Sequence, residues 1–583
     1  MTKGNRSPWA WVPTLYFAEG IPYVVVMTVS VIFYKRMGMS NTDIALYTSW
    51  LYLPWVIKPL WSPVVDLLKK KRWWIIIMQL FVGAGLAGVA FTIPLPGFFQ
   101  YTLAFFWLLA FSSATHDIAA DGFYMLALDE HKQAYFIGIR STFYRFAMIT
   151  GQGLLIIVAG FIESRTGLDP VRFEASTVQE ELTGSWMQKN KIYEAEEGKQ
   201  RFILSKQELQ ISLNEFPTDK AREMVDWVQE INIQNGFKNK MTDVNSINSG
   251  NTGLIGIRLS SPPEVGEQII LLLGRKTGDK NFRLIEGDRL NFTSKNWNKN
   301  AWILVQIDPK LDQMSSASFE GLSGNIPFAW MVTFVILAVL FITFFVYHRY
   351  ILPRPDADRA VAEGKNVIVE FLNTFASFFK KENLAAAIAF FLLFRLGESQ
   401  LVKLASPFLL DSREVGGLAL TTGDVGLIYG TIGIIFLTLG GLLGGYVASR
   451  KGLKYWIWWM TLFINLPNLV YVYLSYTTPT QFVVIASGVA VEQFGYGFGF
   501  TAYMLYMIYF AEGKSKTAHF AICTGLMALG MMVPGMISGW IQESIGYQNF
   551  FIWVMICTIP SFIAVKFLKI DPQFGIKKVK NNS

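Results

Sequence analysis

The tightest constraint on this chain is the recurrence of apolar runs as long as a bilayer core is thick. A transmembrane helix needs about 20 predominantly apolar residues. Five such runs follow one another at 9–33, 44–64, 74–93, 101–127 and 136–162; a sixth starts at 326. Six more lie at 384–410, 424–447, 454–475, 480–510, 518–541 and 548–568. With 52% hydrophobic and only 16% charged residues, the balance is outside that of soluble domains. Residues 163–325 break the pattern: they are rich in Asp, Glu, Lys and Asn, and no run in them could cross a bilayer. The reading is an all-α membrane protein of twelve spans in two six-helix halves. Spans one to five fill 1–162, a soluble domain 163–325, span six 326–350, a linker 351–383, spans seven to twelve 384–570, and a tail 571–583.

The formal charge of +8 would suit a nucleic-acid partner if it were spread over a surface, but Lys and Arg cluster in short loops between apolar runs. Lys69, Lys70, Lys71 and Arg72, then His348, Arg349, Arg354 and Arg359, then Arg450, Lys451 and Lys454, then Lys514 and Lys516 occupy alternate loops. The positive-inside rule makes these loops and both termini cytoplasmic, with Lys35 and Arg36 running against the trend. The insert follows the fifth span and is therefore expected outside, in the periplasm, which implies an inner-membrane protein. The opening MTKGNRS does not read as a removable signal peptide. Both cysteines, Cys523 and Cys557, sit inside apolar runs, so no disulfide framework or cysteine metal site is expected. No phosphate-binding glycine loop, HExxH or nucleophile elbow occurs in a fitting context. The chain is expected to be no enzyme and to carry neither cofactor nor metal.

Within the insert, LSKQELQISLNEF and DKAREMVDWVQEI have helical spacing, while TGLIGIRLS, GEQIILLLG and AWILVQID alternate like strands. The stretch NFTSKNWNKNAWILVQID resembles the end of β-sandwich repeats of bacterial surface proteins. In the linker, NVIVEFLNTFASFFKK puts Val369, Leu372, Phe375 and Phe379 on one side, the pattern of an interfacial helix.

Ionisable groups at membrane depth are costly, so each is a functional candidate or half of a structural ion pair. Counted from the span ends, Glu19, Arg395 and Glu492 fall near mid-depth, with Glu398 slightly outside them. THDIAAD sets Asp117 and Asp121 on one face of span four at i and i+4, beside His116, and span five carries Arg140 and Arg145. Because those two spans run oppositely, depth matches Asp121 with Arg140, as a clamp or gate, and Asp117 with Arg145. Asp117 is then a candidate proton or substrate site. Glu19 precedes Gly20-Ile21-Pro22, so the helix is expected to break there and open backbone groups to a cavity. Glu19 could serve as a proton site or as a partner of Arg395 across the halves. Tyr23, Trp50, Trp55, Tyr144, Tyr496 and Tyr503 could stack on rings of a substrate or belong to interfacial belts.

Span two ends in SPVVDLLKKK and span eight in GYVASRKGLK; both resemble the G-x-x-x-D-R-x-G-R-K loop of the major facilitator superfamily, Asp66 keeping the acid that Ser449 replaces. Further, FAEGIPYVV, KPLWSPVVD, SSATHDIAADGF, FYRFAM, RLGESQLVKLASPFLL, TTGDVG, VEQFGYGFGFTAYM and KTAHFAICTGLMALG occur in order, and together they resemble the AmpG muropeptide permease family. The resemblance implies a major facilitator fold and proton-driven import of anhydro-muropeptides. It also puts Asp117 and Asp121 in the acidic motif of span four, Lys58 and Asp66 in that of span two, Arg145 after the span-five tyrosine, and Glu492 at the span-ten acid. This chain departs from the family at His116, usually Gln, at Glu19, usually small and polar, and at Glu398, usually Asp. The substrate would be an anionic small molecule whose carboxylates meet Arg395, Arg145 or Lys403; the other partners would be protons and membrane lipid. Competing readings are a carrier of another anionic solute, such as an acyl-CoA-like or sugar-phosphate compound, and a sensor or scaffold whose insert binds cell wall or a periplasmic partner.

Overall fold

The computed structural model describes residues 6–179, 191–214, 218–238, 251–356, 358, 372–373, 375–513 and 516–576, though not every side chain within them. The core of the predicted linker helix, Arg359 and Lys514 lie outside the described residues, as does the side chain of Asp66.

Among the described residues, ten apolar helical stretches are long enough to cross a membrane: Pro8–Arg36, Lys71–Thr92, Phe98–Ala127, His131–Arg165, Ile326–Ile351, Leu384–Leu410, Thr422–Lys451, Leu453–Thr477, Phe482–Ala511 and Ala518–Lys566. Two local features bring this to twelve spans. The stretch Ala518–Lys566 has 49 residues, about 74 Å if straight and more than twice a bilayer core. Gly546, at φ 74°, divides it. Span two consists of two helices, Asn41–Trp50 and Leu53–Leu68, separated by Leu51 and Tyr52, so neither piece is long enough by itself. The chain is a multi-pass membrane protein.

Span one does not break at Gly20-Ile21-Pro22. The helix Val12–Val24 runs through Pro22 and widens into a π-turn at Val25–Val29, which takes up the irregularity, before continuing over Ser30–Arg36. Gly20 has a packing role instead: a Cβ there would lie 2.7 Å from Ala147 Cβ, so the glycine lets spans one and five touch. Two further π-turns, Thr150–Leu154 in span five and Gly426–Ile432 in span eight, pack against each other.

Residues 159–329 and 411–419 form a separate compact unit. Among the described residues it holds nine strands: β1 (Val171–Val178), β2 (Phe202–Leu204), β3 (Glu208–Ser212), β4 (Thr252–Leu259), β5 (Ile269–Gly278), β6 (Phe282–Glu286), β7 (Arg289–Phe292), β8 (Ala301–Ile307) and β9 (Ser316–Gly324). They make a five-stranded sheet, β3-β1-β9-β5-β7, and a four-stranded sheet, β2-β4-β8-β6. A shared core joins inward residues of both, among them Phe173, Leu209, Ile211, Ile257, Leu271, Ile303 and Phe319. The helix Thr218–Gln234 lays Met224, Val225 and Val228 on Trp302 and Leu304, as the spacing of DKAREMVDWVQEI predicts. Over its described residues, 204–214, LSKQELQISLNEF is not helical: it supplies the last residue of β2 and all of β3. Leu209 and Ile211 are fully buried between exposed neighbours, and this period of two, matched to a core face, prevails over the helical spacing.

The short segment 411–419 belongs to this unit through β5. Where β5 slips register against β9 between Arg275 and Thr277, the backbone N–H of Arg275 donates to the Glu414 carboxylate. A Cβ built on Gly274 would sit 3.7 Å from Ser412 Cβ, within the Cβ separation of a disulfide. The double variant Gly274→Cys/Ser412→Cys should therefore oxidise spontaneously. Mass spectrometry of the unreduced protein should find the two cysteines linked; two persistent free thiols would contradict the packing of 411–419 on β5.

Candidate functional site

Span four places Asp117 and Asp121 one turn apart, and lipid-depth carboxylates persist only when they are paired. Lys58, from the Leu53–Leu68 helix of span two, bonds the Asp117 carboxylate. Arg140 Nη2 lies 2.6 Å from Asp121 Oδ1, to which the Tyr16 hydroxyl also donates at 3.3 Å. The same guanidinium covers the Tyr16 ring, 4.4 Å from its centroid. Glu19 completes the group: carboxylate oxygens of Glu19, Asp117 and Asp121 all lie within 4.8 Å of one another. Its side chain is 6% exposed, and its Oε2 has no hydrogen-bond partner. Asp121, at 37% exposure, is the solvent-facing end of the cluster and Glu19 its dry end.

Depth thus pairs Asp121 with Arg140 but misplaces Arg145. From Arg140 to Arg145 the helix turns through five residues, about 140° beyond one full turn, so two arginines of suitable height point in different directions. Arg145 is directed toward span eight, where a Cβ on Gly441 would be 3.9 Å from its Nη2. Lys58 takes Asp117 in its place.

In the second half, Arg395 pairs within its own span. Its Nε and Nη2 lie 2.7 and 2.6 Å from the two Glu398 oxygens, and Nη2 donates to the Tyr496 hydroxyl at 2.8 Å. Both ionic side chains are buried. Of the two roles open to Glu19, a contact with Arg395 is not made: Glu398 at i+3 satisfies the guanidinium. Glu492 is buried and accepts a hydrogen bond from Gln493 at 3.0 Å. Of the aromatic candidates, Tyr23 and Trp55 meet edge-on at 5.3 Å, whereas the Tyr503 hydroxyl is spent on the Phe391 carbonyl at 2.6 Å.

A polar chain that sequence reasoning missed crosses the first half. Thr14 Oγ1 meets His348 Nε2 at 3.0 Å, His348 Nδ1 meets Gln79 Oε1 at 2.9 Å, and Gln79 Nε2 meets His116 Nε2 at 3.0 Å. His348 is fully buried within Ile326–Ile351, not a loop cation. The available signal was Gln79, the polar residue in the apolar run 74–93.

The two halves meet through glycines. A Cβ on Gly430 of span eight would fall 1.7 Å from the Gln152 carbonyl of span five, and one on Gly539 would fall 2.0 Å from the Asn41 carbonyl of span two. Asn41 also donates to Gln542 Oε1 at 2.7 Å and to the Tyr547 hydroxyl at 2.9 Å.

With three carboxylates and two cations, the first-half cluster can take up one further positive charge. Since Lys58 and Arg140 already occupy Asp117 and Asp121, the donor set suits a proton better than a divalent metal ion.

The BT1 family model matches residues 19–151, the stretch that carries Glu19, Lys58, Asp117, Asp121, Arg140 and Arg145. A Rickettsia felis protein named as transporter AmpG 4 is 24% identical over 245 residues, 41% of this chain and 56% of that protein. One from Rickettsia prowazekii named as transporter AmpG 2 is 26% identical over 198 residues, 34% of this chain and 47% of that protein. The matched region thus spans about half the length of these relatives. Among solved structures, nucleoside transporter NupG matches with a TM-score of 0.51 at 11% identity, covering 96% of this chain and 98% of its own. A D-xylose-proton symporter matches with a TM-score of 0.51 at 10% identity, covering 97% of both chains. The chain has the major facilitator fold, and it is similar to the BT1 family over residues 19–151 and to the Rickettsia proteins named as AmpG transporters.

Proposed function

We propose that this protein imports anhydro-muropeptides across the inner membrane, driven by protons. The observation that carries the reading is the charge count of the buried cluster. Glu19, Asp117 and Asp121 share a space in which, among the described residues, Lys58 and Arg140 alone neutralise them, and Glu19 keeps an unpartnered oxygen. One proton makes the cluster neutral. A buried site that alternates between a net charge and neutrality biases a two-state bundle, because the charged form is costly wherever water is excluded. Arg395 and Tyr496, in the other half, supply polar contacts for an anionic wall fragment once Glu398 yields. The test is uptake of labelled anhydro-muropeptide into vesicles holding the purified protein, with and without an imposed inward proton gradient. Accumulation should require the gradient; equal uptake in both conditions would reject coupling, and no uptake would reject the substrate.

The insert is periplasmic in this reading and both termini are cytoplasmic, which the cation-rich loops at 69–72 and 450–454 support. A cysteine replacing Lys199, which is exposed in the insert, should react with an impermeant thiol reagent on intact spheroplasts. One replacing Ser449 should react only after lysis; the opposite pattern would invert the topology.

A further inference from the structure

Span seven carries a second buried cation besides Arg395, and unlike Arg395 it has no acid beside it among the described residues. Lys403 is 2% exposed. Its Nζ donates to Thr48 Oγ1 at 3.0 Å and lies 5.0 Å from the centroid of the Tyr52 ring. Thr48 Oγ1 is itself committed as a donor to the Ile44 carbonyl at 2.7 Å. Among the described residues, no carboxylate forms an ion pair with Lys403. Burial of an ammonium group against one hydroxyl and one ring leaves much of its desolvation uncompensated.

An independent observation points to the same place. Ser49, the residue after Thr48, is fully buried, and its Oγ has no hydrogen-bond partner. It faces the Lys403 stem across a notch made by a missing side chain: a Cβ on Gly535 of span eleven would lie 2.8 Å from Ser49 Oγ and 3.4 Å from Lys403 Cγ. Spans two, seven and eleven thus bring together a cation with no paired carboxylate among the described residues, a hydroxyl without a partner, and a glycine whose missing side chain lets the spans meet there. Lys403 is eight residues beyond Arg395 along the same span, about 12 Å nearer the end that leads to 411–419.

We infer that Lys403, Ser49 and the Gly535 notch form an anion subsite that receives a carboxylate of the transported solute when spans two and eleven part. The inference rests on the proposed uptake of an anionic wall fragment and adds where its carboxylate is held. In the arrangement described here the notch is closed, with Thr48 standing in for the anion. Opening exchanges that neutral acceptor for a charged one, which forms the stronger hydrogen bond.

Two measurements on the full chain test the subsite. First, in a Ser49→Cys variant, the thiol should react about ten-fold faster with a sulfonate-bearing methanethiosulfonate than with its trimethylammonium counterpart, because Lys403 attracts the anion. Adding Lys403→Met should bring the two rates together, whereas Lys403→Arg should preserve the preference. An absence of preference, a preference unchanged by Lys403→Met, or no labelling of Ser49→Cys with either reagent would overturn the subsite, whatever the solute. Second, Lys403→Met should raise the KM for uptake of anhydro-muropeptide about ten-fold while changing that of its carboxamide analogue less than about two-fold. An equal change for both, or a fall in maximal rate alone, would make Lys403 structural and overturn the inference. Failure of the wild type to take up muropeptide would reject the proposed substrate; the reagent pair would still judge the subsite.

Discussion

Asp117→Asn should abolish gradient-driven accumulation while leaving exchange of labelled for unlabelled solute intact. The amide keeps the shape of the side chain but cannot take up a proton, and it removes one of three negative charges. Glu19 and Asp121 then balance Lys58 and Arg140, so the cluster is fixed in the neutral condition that protonation produces only transiently. A bundle that is always neutral can reorient with or without solute, which permits exchange and prevents accumulation. Loss of a buried ionic partner amounts to several kcal/mol, so the fall in accumulation should exceed about ten-fold. Side-by-side counterflow and gradient-driven uptake in vesicles are the check. Parallel loss of both activities would mean that Asp117 only holds the fold, and retention of both would remove it from coupling.

Gly430→Val should be comparably severe for a steric reason. At 1.7 Å from the Gln152 carbonyl, any Cβ on Gly430 collides with main chain, which cannot rotate aside as a side chain can. The π-turns Thr150–Leu154 and Gly426–Ile432 would have to separate, and with them the crossing of spans five and eight. Overpacking of this kind costs at least about 1–3 kcal/mol. Since the crossing joins the two halves, uptake should fall to background and the thermal midpoint of the purified protein should drop. Gly445→Ala provides the control, for nothing lies within 4 Å of a Cβ there. A Gly430→Val protein with ordinary uptake would show that the close crossing is not needed in the cycle.

What could be read from the sequence, and what could not, divides along a physical line. Spans follow from apolar length, and charges inside them stand out because lipid tolerates few. Heights along a helix are also legible, which is how Asp121 and Arg140 could be matched. Azimuth is not: Arg145 has a suitable height but is directed toward Gly441, and Lys58 reaches Asp117 from span two. Competition between partners is equally hidden: nothing in the spacing indicated that Glu398 would hold Arg395 in preference to Glu19. The π-turns have no sequence period of their own, so Pro22 suggested a break where the helix only widens three residues later. His348 reads as a loop cation because it adjoins Arg349 at the end of an apolar run, but its ring is directed inward to Gln79. In the insert, the alternation of Leu209 and Ile211 outweighed a helical pattern once two sheets offered them a core.

The claim on which the rest depends is that the cluster around Glu19 carries one transferable proton. The most direct measurement loads vesicles with a pH-sensitive dye and records proton entry when anhydro-muropeptide is added outside without any imposed gradient. The wild-type protein should acidify the lumen in step with solute entry, and Glu19→Gln, which leaves Asp117 with Lys58 and Asp121 with Arg140, should bring in solute without acidification. Solute entry without acidification in the wild type, or acidification undiminished in Glu19→Gln, would contradict the assignment of that proton to Glu19.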